Sequence, residues 1–157
     1  MKVRFLVRWL CLAVCVFFID LISKNAVIER LWHGQVIYVN DYFNLVHAHN
    51  TGAAFSFLAG SSGWQVLFFS AIALLAVAFC IYHLWKNLHQ PLVCTALAWI
   101  IGGALGNLFD RIMYGYVIDF LDFHFQHWHW PAFNVADMAI VGGALLLLFE
   151  SFRKPGH

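Results

Sequence analysis

Seven of the eight acidic residues of this chain lie in or beside two stretches of mixed composition that separate long apolar runs. Two carboxylates that meet beside lipid cannot both ionise easily, because burial and mutual repulsion each raise a carboxylate pKa. One of them then keeps a proton while the other is charged, which supplies a general acid and a general base for activating water. The pattern indicates aspartate chemistry without deciding which two residues pair, and the seven are Asp20, Glu29, Asp41, Asp110, Asp119, Asp122 and Asp137.

Polar residues accompany several of these carboxylates at helical spacing. Asp20 and Lys24 stand four residues apart, which predicts an ion pair on one helical face, although Lys24 alone could instead snorkel to the membrane interface. Asn107 and Arg111 have the same spacing. Asp119 is surrounded by apolar residues in the run 115–120. Ionisable groups near hydrocarbon normally have a partner or a function, so these residues are candidate site residues.

Two further motifs carry polar groups that could serve a site. Asn134 and Asp137 stand three apart where the last apolar run begins, and helix capping is the alternative role for either residue. Residues 50–56 combine Asn50 with small residues that include Gly52, so another chain could approach this backbone closely. A plain loop explains the same composition equally well.

The sequence lacks the residue patterns of serine, cysteine and zinc-dependent hydrolases. The chain contains no Gly-x-Ser-x-Gly, no His-Glu-x-x-His and no interfacial Cys beside a His. The cysteines lie in apolar runs and are expected to act as small hydrophobic residues: Cys11, Cys15, Cys80 and Cys94. The histidines of the run 124–130 alternate with aromatic residues, which favours an interfacial aromatic segment over a metal site: His124, His127 and His129.

The composition requires a membrane. Hydrophobic residues make up 62% of the chain and charged residues 11%, with a mean hydropathy of +0.75. Soluble domains have roughly 45–50% apolar and about 25% charged residues. The net charge is only +1, and no basic cluster interleaved with aromatic residues occurs, which excludes a nucleic-acid partner.

Four apolar runs are each about long enough to cross the bilayer as a helix. They cover residues 5–22, 64–85, 92–109 and 138–152, so we predict a polytopic α-helical membrane protein with one domain over 1–157. Residues 35–39 and 42–46 are typical of short strands and predict a small β-rich extramembrane segment between helices 1 and 2. Glycines in the third run permit close helix packing: Gly102, Gly103 and Gly106.

The basic residues predict the orientation. Six of them would lie at one end of the four helices: Lys2, Arg4, Arg8, Lys86, Arg153 and Lys154. Cytoplasmic loops carry the excess of Lys and Arg, so both termini are expected in the cytoplasm. The segments 25–62 and 110–137 then face the opposite side together.

Five ordered motifs resemble those of the lipoprotein signal peptidase (signal peptidase II) family, and the resemblance covers nearly the whole chain. They occupy residues 20–24, 50–55, 106–111, 115–120 and 133–137. The one departure noted is Leu21, where the family often has glutamine.

The resemblance implies an aspartic endopeptidase of the bacterial inner membrane, with its active site at the periplasmic face and no metal or other cofactor. Asp119 and Asp137 would form the catalytic dyad. The substrate would be a prolipoprotein in the membrane lipid, cleaved before a diacylglyceryl-modified cysteine, and globomycin would inhibit. The supporting positions would be Asp20, Lys24, Asn50, Gly52, Asn107, Arg111 and Asn134.

Two alternatives remain at the level of sequence. A small proton- or cation-coupled transporter could use Asp20, Lys24 and the two dyad carboxylates, although no inverted repeat is visible. Asp110 or Asp122 could replace Asp119 in the dyad, and Asp110, next to Arg111, fits better as a salt-bridged structural residue.

Overall fold

The computed structural model describes residues 2–52 and 63–153, and these residues form four helices and one small sheet. The helices are α1 (Lys2–Arg30), α2 (Trp64–Lys86), α3 (Pro91–Tyr114) and α4 (Val135–Arg153). Each is long and apolar enough to cross a membrane. The predicted four-helix membrane fold is therefore confirmed, and the helices extend beyond the predicted spans, α1 by eight residues after 22.

The central helix of the bundle is α3, which packs against α1, α2 and α4. Its most apolar window is 61% buried, whereas those of the other three helices are at most 22% buried and present their apolar side chains to the bilayer. Pro91 starts α3, where its missing N–H costs nothing. Gly115 ends it in a left-handed conformation (φ 81°) and donates its N–H to the Arg111 carbonyl.

Glycines allow this central helix to touch its neighbours. A Cβ on Gly102 would collide with the Ala13 carbonyl of α1, and one on Gly103 with the Ala136 carbonyl of α4. Gly143 of α4 meets the Ala96 carbonyl of α3 in the same way. The close packing expected from the glycines of α3 is confirmed, and it sets the spacing of the helices that carry the polar residues.

The sheet is antiparallel with the strand order β1 (Val36–Asn40), β2 (Phe43–Asn50), β3 (Val117–Phe125) and β4 (Trp128–His129). The two predicted strands are confirmed as β1 and β2. The sequence did not predict β3 and β4, which come from the segment between α3 and α4. The sheet therefore joins both mixed segments. Val27 of α1 and Leu31, which directly follows α1, pack with Phe120 and attach the sheet to the bundle.

A β-bulge sets the register between β2 and β3. Leu45 pairs with Leu121 and Ala48 with Asp119, so β2 carries one extra residue between these pairs. Val46 and His47 are consequently both buried. Beyond the bulge, Asn50 is a diagonal neighbour of Asp119, within reach of its carboxylate.

Adjacent glycines of α4 provide a test of the helix packing. The Gly143→Ala variant should lose about 1–3 kcal/mol of stability, because the added methyl group meets backbone of α3 that cannot rotate away. Gly142→Ala is the matched control, since among the described residues its methyl group would contact only the Trp99 ring, at 3.3 Å. Thermal unfolding in detergent micelles measures both. Equal losses in the two variants would contradict the packing described.

Candidate active site

Lys24 is a buried cation at the centre of the polar network, with its side chain 1% exposed. Its ammonium group lies 2.7 Å from Asp20 Oδ2 and 2.8 Å from Asp110 Oδ2. It also donates to Asn107 Oδ1 at 3.0 Å. The three ammonium protons thus have three acceptors, as a buried cation requires. The predicted Asp20–Lys24 pair is confirmed, and Asp110 is salt-bridged as expected, with Lys24 as its cation.

The two carboxylates around Lys24 also bind backbone. Asp20 Oδ1 accepts the Ala136 N–H at 2.8 Å, at the first turn of α4. Asp110 Oδ2 accepts the Ile118 N–H of β3 at 3.1 Å. One ionic cluster therefore joins α1, α3, β3 and α4. Gly106 makes this approach feasible, because a Cβ there would overlap the Asp20 carboxylate.

The start of α4 is a reciprocal capping pair. Asn134 Oδ1 accepts the Asp137 N–H at 3.0 Å, and Asp137 Oδ2 accepts the Asn134 N–H at 3.2 Å. The capping role considered for these residues is therefore confirmed. It leaves Asp137 Oδ1 and the Asn134 amide nitrogen for other partners.

Two asparagine amides connect Asp119 to Asp137. The Asn134 amide donates to Asp119 Oδ1 at 2.7 Å and to Asn107 Oδ1 at 3.1 Å. The Asn107 amide in turn donates to Asp137 Oδ1 at 2.8 Å. Since Asn107 Oδ1 also accepts from Lys24, the orientation of its amide is fixed. The two carboxylates are thus held by one continuous chain of hydrogen bonds.

The end of β2 provides the second donor to Asp119. Asn50 donates from its amide to Asp119 Oδ2 at 2.9 Å, and its Oδ1 accepts the Gly52 N–H at 2.8 Å. Gly52 has a φ of 89°, and a Cβ there would overlap the Phe69 ring of α2. The rest of the predicted run of small residues, from 53 onward, lies outside the described residues.

Arg111 lies over the same aromatic ring. Its guanidinium stands 5.3 Å from the Phe69 ring centroid and donates to the Asn107 carbonyl at 3.3 Å. The charges that act on it most strongly are those of Asp137, Asp119 and Asp110. Every site residue predicted from the sequence is therefore in or next to this network.

The surroundings of Asp119 favour the protonated form of its carboxyl group. Burial, and next the negative charge of Asp137, raises the pKa of Asp119 to about 7. Hydrogen bonds from Asn50 and Asn134 and the charge of Lys24 act in the opposite direction. Because its pKa is about 7, Asp119 is protonated in roughly half of the molecules at neutral pH. This arrangement can donate one proton and accept another.

A groove of about 300 Å³ reaches Asp137 from the apolar part of the bundle. Side chains of α2, α3 and α4 line it, and most of them are apolar. Asn107, Arg111 and Asp137 provide its polar groups. An apolar segment lying in the groove would therefore contact the network at these three residues.

The competing carboxylate Asp122 belongs to a separate cluster. It accepts the Asn44 amide at 2.9 Å and lies 2.9 Å from His129 Nδ1. Burial raises its pKa, but the Asn44 and His129 hydrogen bonds outweigh burial and hold the pKa below its ordinary value. In the ranges 2–52 and 63–153, no group of three or more His, Cys, Asp or Glu residues could hold a metal ion.

Sequence reasoning missed the parts of the site that the backbone and Phe69 provide. The Ala136 and Ile118 N–H groups bind the carboxylates of the Lys24 cluster, and no side-chain pattern marks them. Phe69 resembles any other apolar residue of α2. Gly106 was predicted to permit close helix packing, but its contact with the Asp20 carboxylate was not predicted.

The fold and the site define a four-helix membrane protein with two carboxylates linked through asparagine amides at one end of the bundle. The family model described as signal peptidase (SPase) II matches residues 12–153, and the chain belongs to this family. The protein is therefore a membrane-embedded peptidase of a bacterial family.

The similarity to known proteins covers nearly the whole chain. A lipoprotein signal peptidase of Janthinobacterium sp. is 48% identical over 94% of this chain and 90% of its own length. A lipoprotein signal peptidase of Paraburkholderia phymatum is 49% identical over 95% of this chain and 90% of its own length. A solved structure described as a bacterial membrane enzyme at 1.9 Å resolution has a TM-score of 0.84 and 26% identity, with 94% of each chain covered.

Lys24→Met should cost about 3–5 kcal/mol of stability, because it leaves the Asp20 and Asp110 carboxylates buried without their cation. Lys86→Met is the control. Within residues 2–52 and 63–153, its exposed ammonium contacts only the Tyr82 ring, at 5.5 Å, and its loss should cost less than about 1 kcal/mol. Denaturant unfolding in micelles measures both variants, and similar small losses would contradict the role assigned to Lys24.

Proposed function

We propose that this signal peptidase II family member is an aspartic endopeptidase in which Asp119 and Asp137 form the catalytic dyad. Its substrates are prolipoproteins, and the bond cleaved directly precedes the diacylglyceryl-modified cysteine. The observation that carries the proposal is the Asn134–Asn107 amide chain, which holds both carboxylates in one network. Burial and the charge of Asp137 raise the pKa of Asp119 to about 7, so that Asp119 can keep a proton near neutral pH.

The chemistry follows from the difference between the two carboxylates. A water molecule between them gives a proton to the Asp137 carboxylate as its oxygen attacks the scissile carbonyl carbon. Protonated Asp119 donates its proton to the carbonyl oxygen, which forms a neutral tetrahedral diol. The C–N bond then breaks as the proton on Asp137 passes to the leaving amine and a diol proton returns to Asp119. The dyad regains its starting state.

The supporting residues act through orientation. Asn50 and Asn134 each donate to one oxygen of Asp119, which fixes the plane of that carboxyl group. Asn107 holds Asp137, and the Lys24 cluster fixes Asn107 in turn. Arg111 supplies positive charge beside the dyad, where the oxygen atoms of the diol and a substrate carbonyl would lie.

The groove supports a membrane-embedded substrate. A signal peptide is an apolar helix, and the surface between α2, α3 and α4 is apolar up to Asp137. The lipid chains on the cysteine would remain in the bilayer, which brings the scissile bond to the membrane interface. Exposed tryptophans at this end of the protein suit that interface: Trp32, Trp64, Trp128 and Trp130.

The same arguments give the orientation and the inhibitor class. With the basic residues at the opposite end of the helices in the cytoplasm, the dyad faces the periplasm from the inner membrane. Globomycin-type inhibitors would compete for the dyad. Family membership favours a peptidase over the proton- or cation-coupled transporter. Nothing else in the described residues calls for ion transport, because each charge of the central cluster has a partner there.

Asp119→Asn and Asp137→Asn should each lower kcat by about 10²–10⁴-fold, because each removes one of the two proton-transfer groups. Cleavage of a diacylglyceryl-modified prolipoprotein by the purified protein measures this. Asp122→Asn is the matched control in the same sheet and should keep nearly full activity. Wild-type protein that cleaves no lipidated substrate would overturn the proposed function, and an inactive Asp122→Asn variant would overturn the dyad assignment.

The pKa of Asp119 predicts the alkaline side of the pH profile. Above pH about 7 Asp119 loses its proton, so kcat/KM should fall about tenfold for each further unit. The stability of the fold should also fall as the pH rises, because Asp119 binds its proton more tightly in the folded state than in the unfolded state. Because the folded state holds the Asp119 proton that the unfolded state has lost, unfolding free energy should decrease from pH about 4 to about 7. Asp119→Asn should flatten this slope; an unchanged slope would contradict the assignment.

A further inference from the structure

Three aromatic rings from three different parts of the chain stack beside the site. His49 of β2 lies between His33 and Tyr116, with ring centroids 3.8 and 3.7 Å apart and interplanar angles of 20° and 17°. His33 belongs to the connection between α1 and β1, and Tyr116 to the turn between α3 and β3. The stack therefore holds the end of β2 from both sides.

A fourth ring fixes the orientation of His49. His47 is buried, and its Nδ1 lies 2.9 Å from the Leu31 carbonyl, which can only accept a hydrogen bond. Neutral His47 therefore carries its proton on Nδ1, and its Nε2 accepts. His49 Nε2 lies 3.2 Å from this nitrogen and so donates to it. Burial first, and then His33 and His47, lower the pKa of His49, which favours this neutral arrangement near pH 7.

Asn50 directly follows this anchored residue and is the last residue of β2. The ladder with β3 ends at the Asn50–Val117 pair, so strand pairing holds Asn50 from one side only. Successive side chains of a strand point to opposite faces. Fixing His49 on one face therefore fixes the direction of the Asn50 amide, which reaches Asp119 on the other.

We propose that His49 is a positioning residue of the peptidase: clamped by His33, His47 and Tyr116, it holds Asn50 in place to donate its hydrogen bond to Asp119. The catalytic consequence rests on the proposed function. The hydrogen bond itself does not, so it can be tested separately. The titratable groups that face His49 in the described residues are the three that clamp it.

Removal of the clamp should change Asp119 in the same way as removal of Asn50. The Asn50 hydrogen bond favours ionised Asp119, so His49→Ala and Asn50→Ala should each raise its pKa by roughly half a unit to one unit. The double variant should show no further rise, because both changes remove one hydrogen bond. Infrared difference spectra measure this pKa through the carboxylic acid band that is absent in Asp119→Asn.

Controls separate positioning from general damage. His127→Ala removes an exposed histidine of the β3–β4 turn and should leave the Asp119 pKa unchanged. His49→Phe keeps a stacking ring but loses the donor to His47, so it should give a smaller rise and tests the proposal if His49→Ala does not fold. A rise in Asn50→Ala with none in either His49 variant would overturn the proposal.

Activity distinguishes the two proposals. If the wild-type protein cleaves lipidated prolipoprotein, the His49→Ala variant should move the alkaline limb of kcat/KM upward in pH, in parallel with the infrared result. If the wild-type protein cleaves nothing but the infrared shift appears, the proposed function fails and the positioning role stands. If cleavage occurs and the shift is absent, only the positioning role fails.

Discussion

The structure depends on one buried ammonium group. Lys24 is removed from water within the transmembrane helix α1, and such burial is tolerated only with full compensation. Asp20, Asp110 and Asn107 provide it, and each of these partners has a second contact with another element. The charge therefore fixes the relative positions of three helices and a strand. The proposed dyad, Asp119 and Asp137, is assembled on this frame.

Much of the fold could be predicted because its causes are local. The helices follow from apolar runs of spanning length, and the Asp20–Lys24 pair from a spacing of four residues. β3 was missed because its first four residues are all buried, so the alternation that reveals a half-buried strand is absent. Burial on both faces comes from its place between α1, β2 and the start of α4, which no local pattern expresses.

The candidate site was predictable as a set of residues but not as a geometry. The motifs of a known family identify Asp119, Asp137 and their supporting residues. The contacts among them join distant positions, such as Lys24 with Asn107 across 83 residues. Asn134 also shows that capping and site roles are not exclusive, because its oxygen caps α4 while its nitrogen binds Asp119. The capping role and the site role, treated as alternatives in the sequence analysis, are therefore both filled by Asn134.

The pairing of β2 with β3 makes the length of this surface strand matter as much as its composition. Beyond the bulge, Ala48 pairs with Asp119 and Asn50 with Val117, so the Asn50 side chain lies on the face of Asp119. The bulge can absorb the loss of one residue, whereas a deletion between Ala48 and Asn50 would turn Asn50 to the opposite face. Surface segments usually accept insertions and deletions readily. At the end of β2, however, a single-residue change in length would separate the asparagine from its carboxylate while leaving both residues in the sequence. Variation there should therefore occur by substitution at constant length.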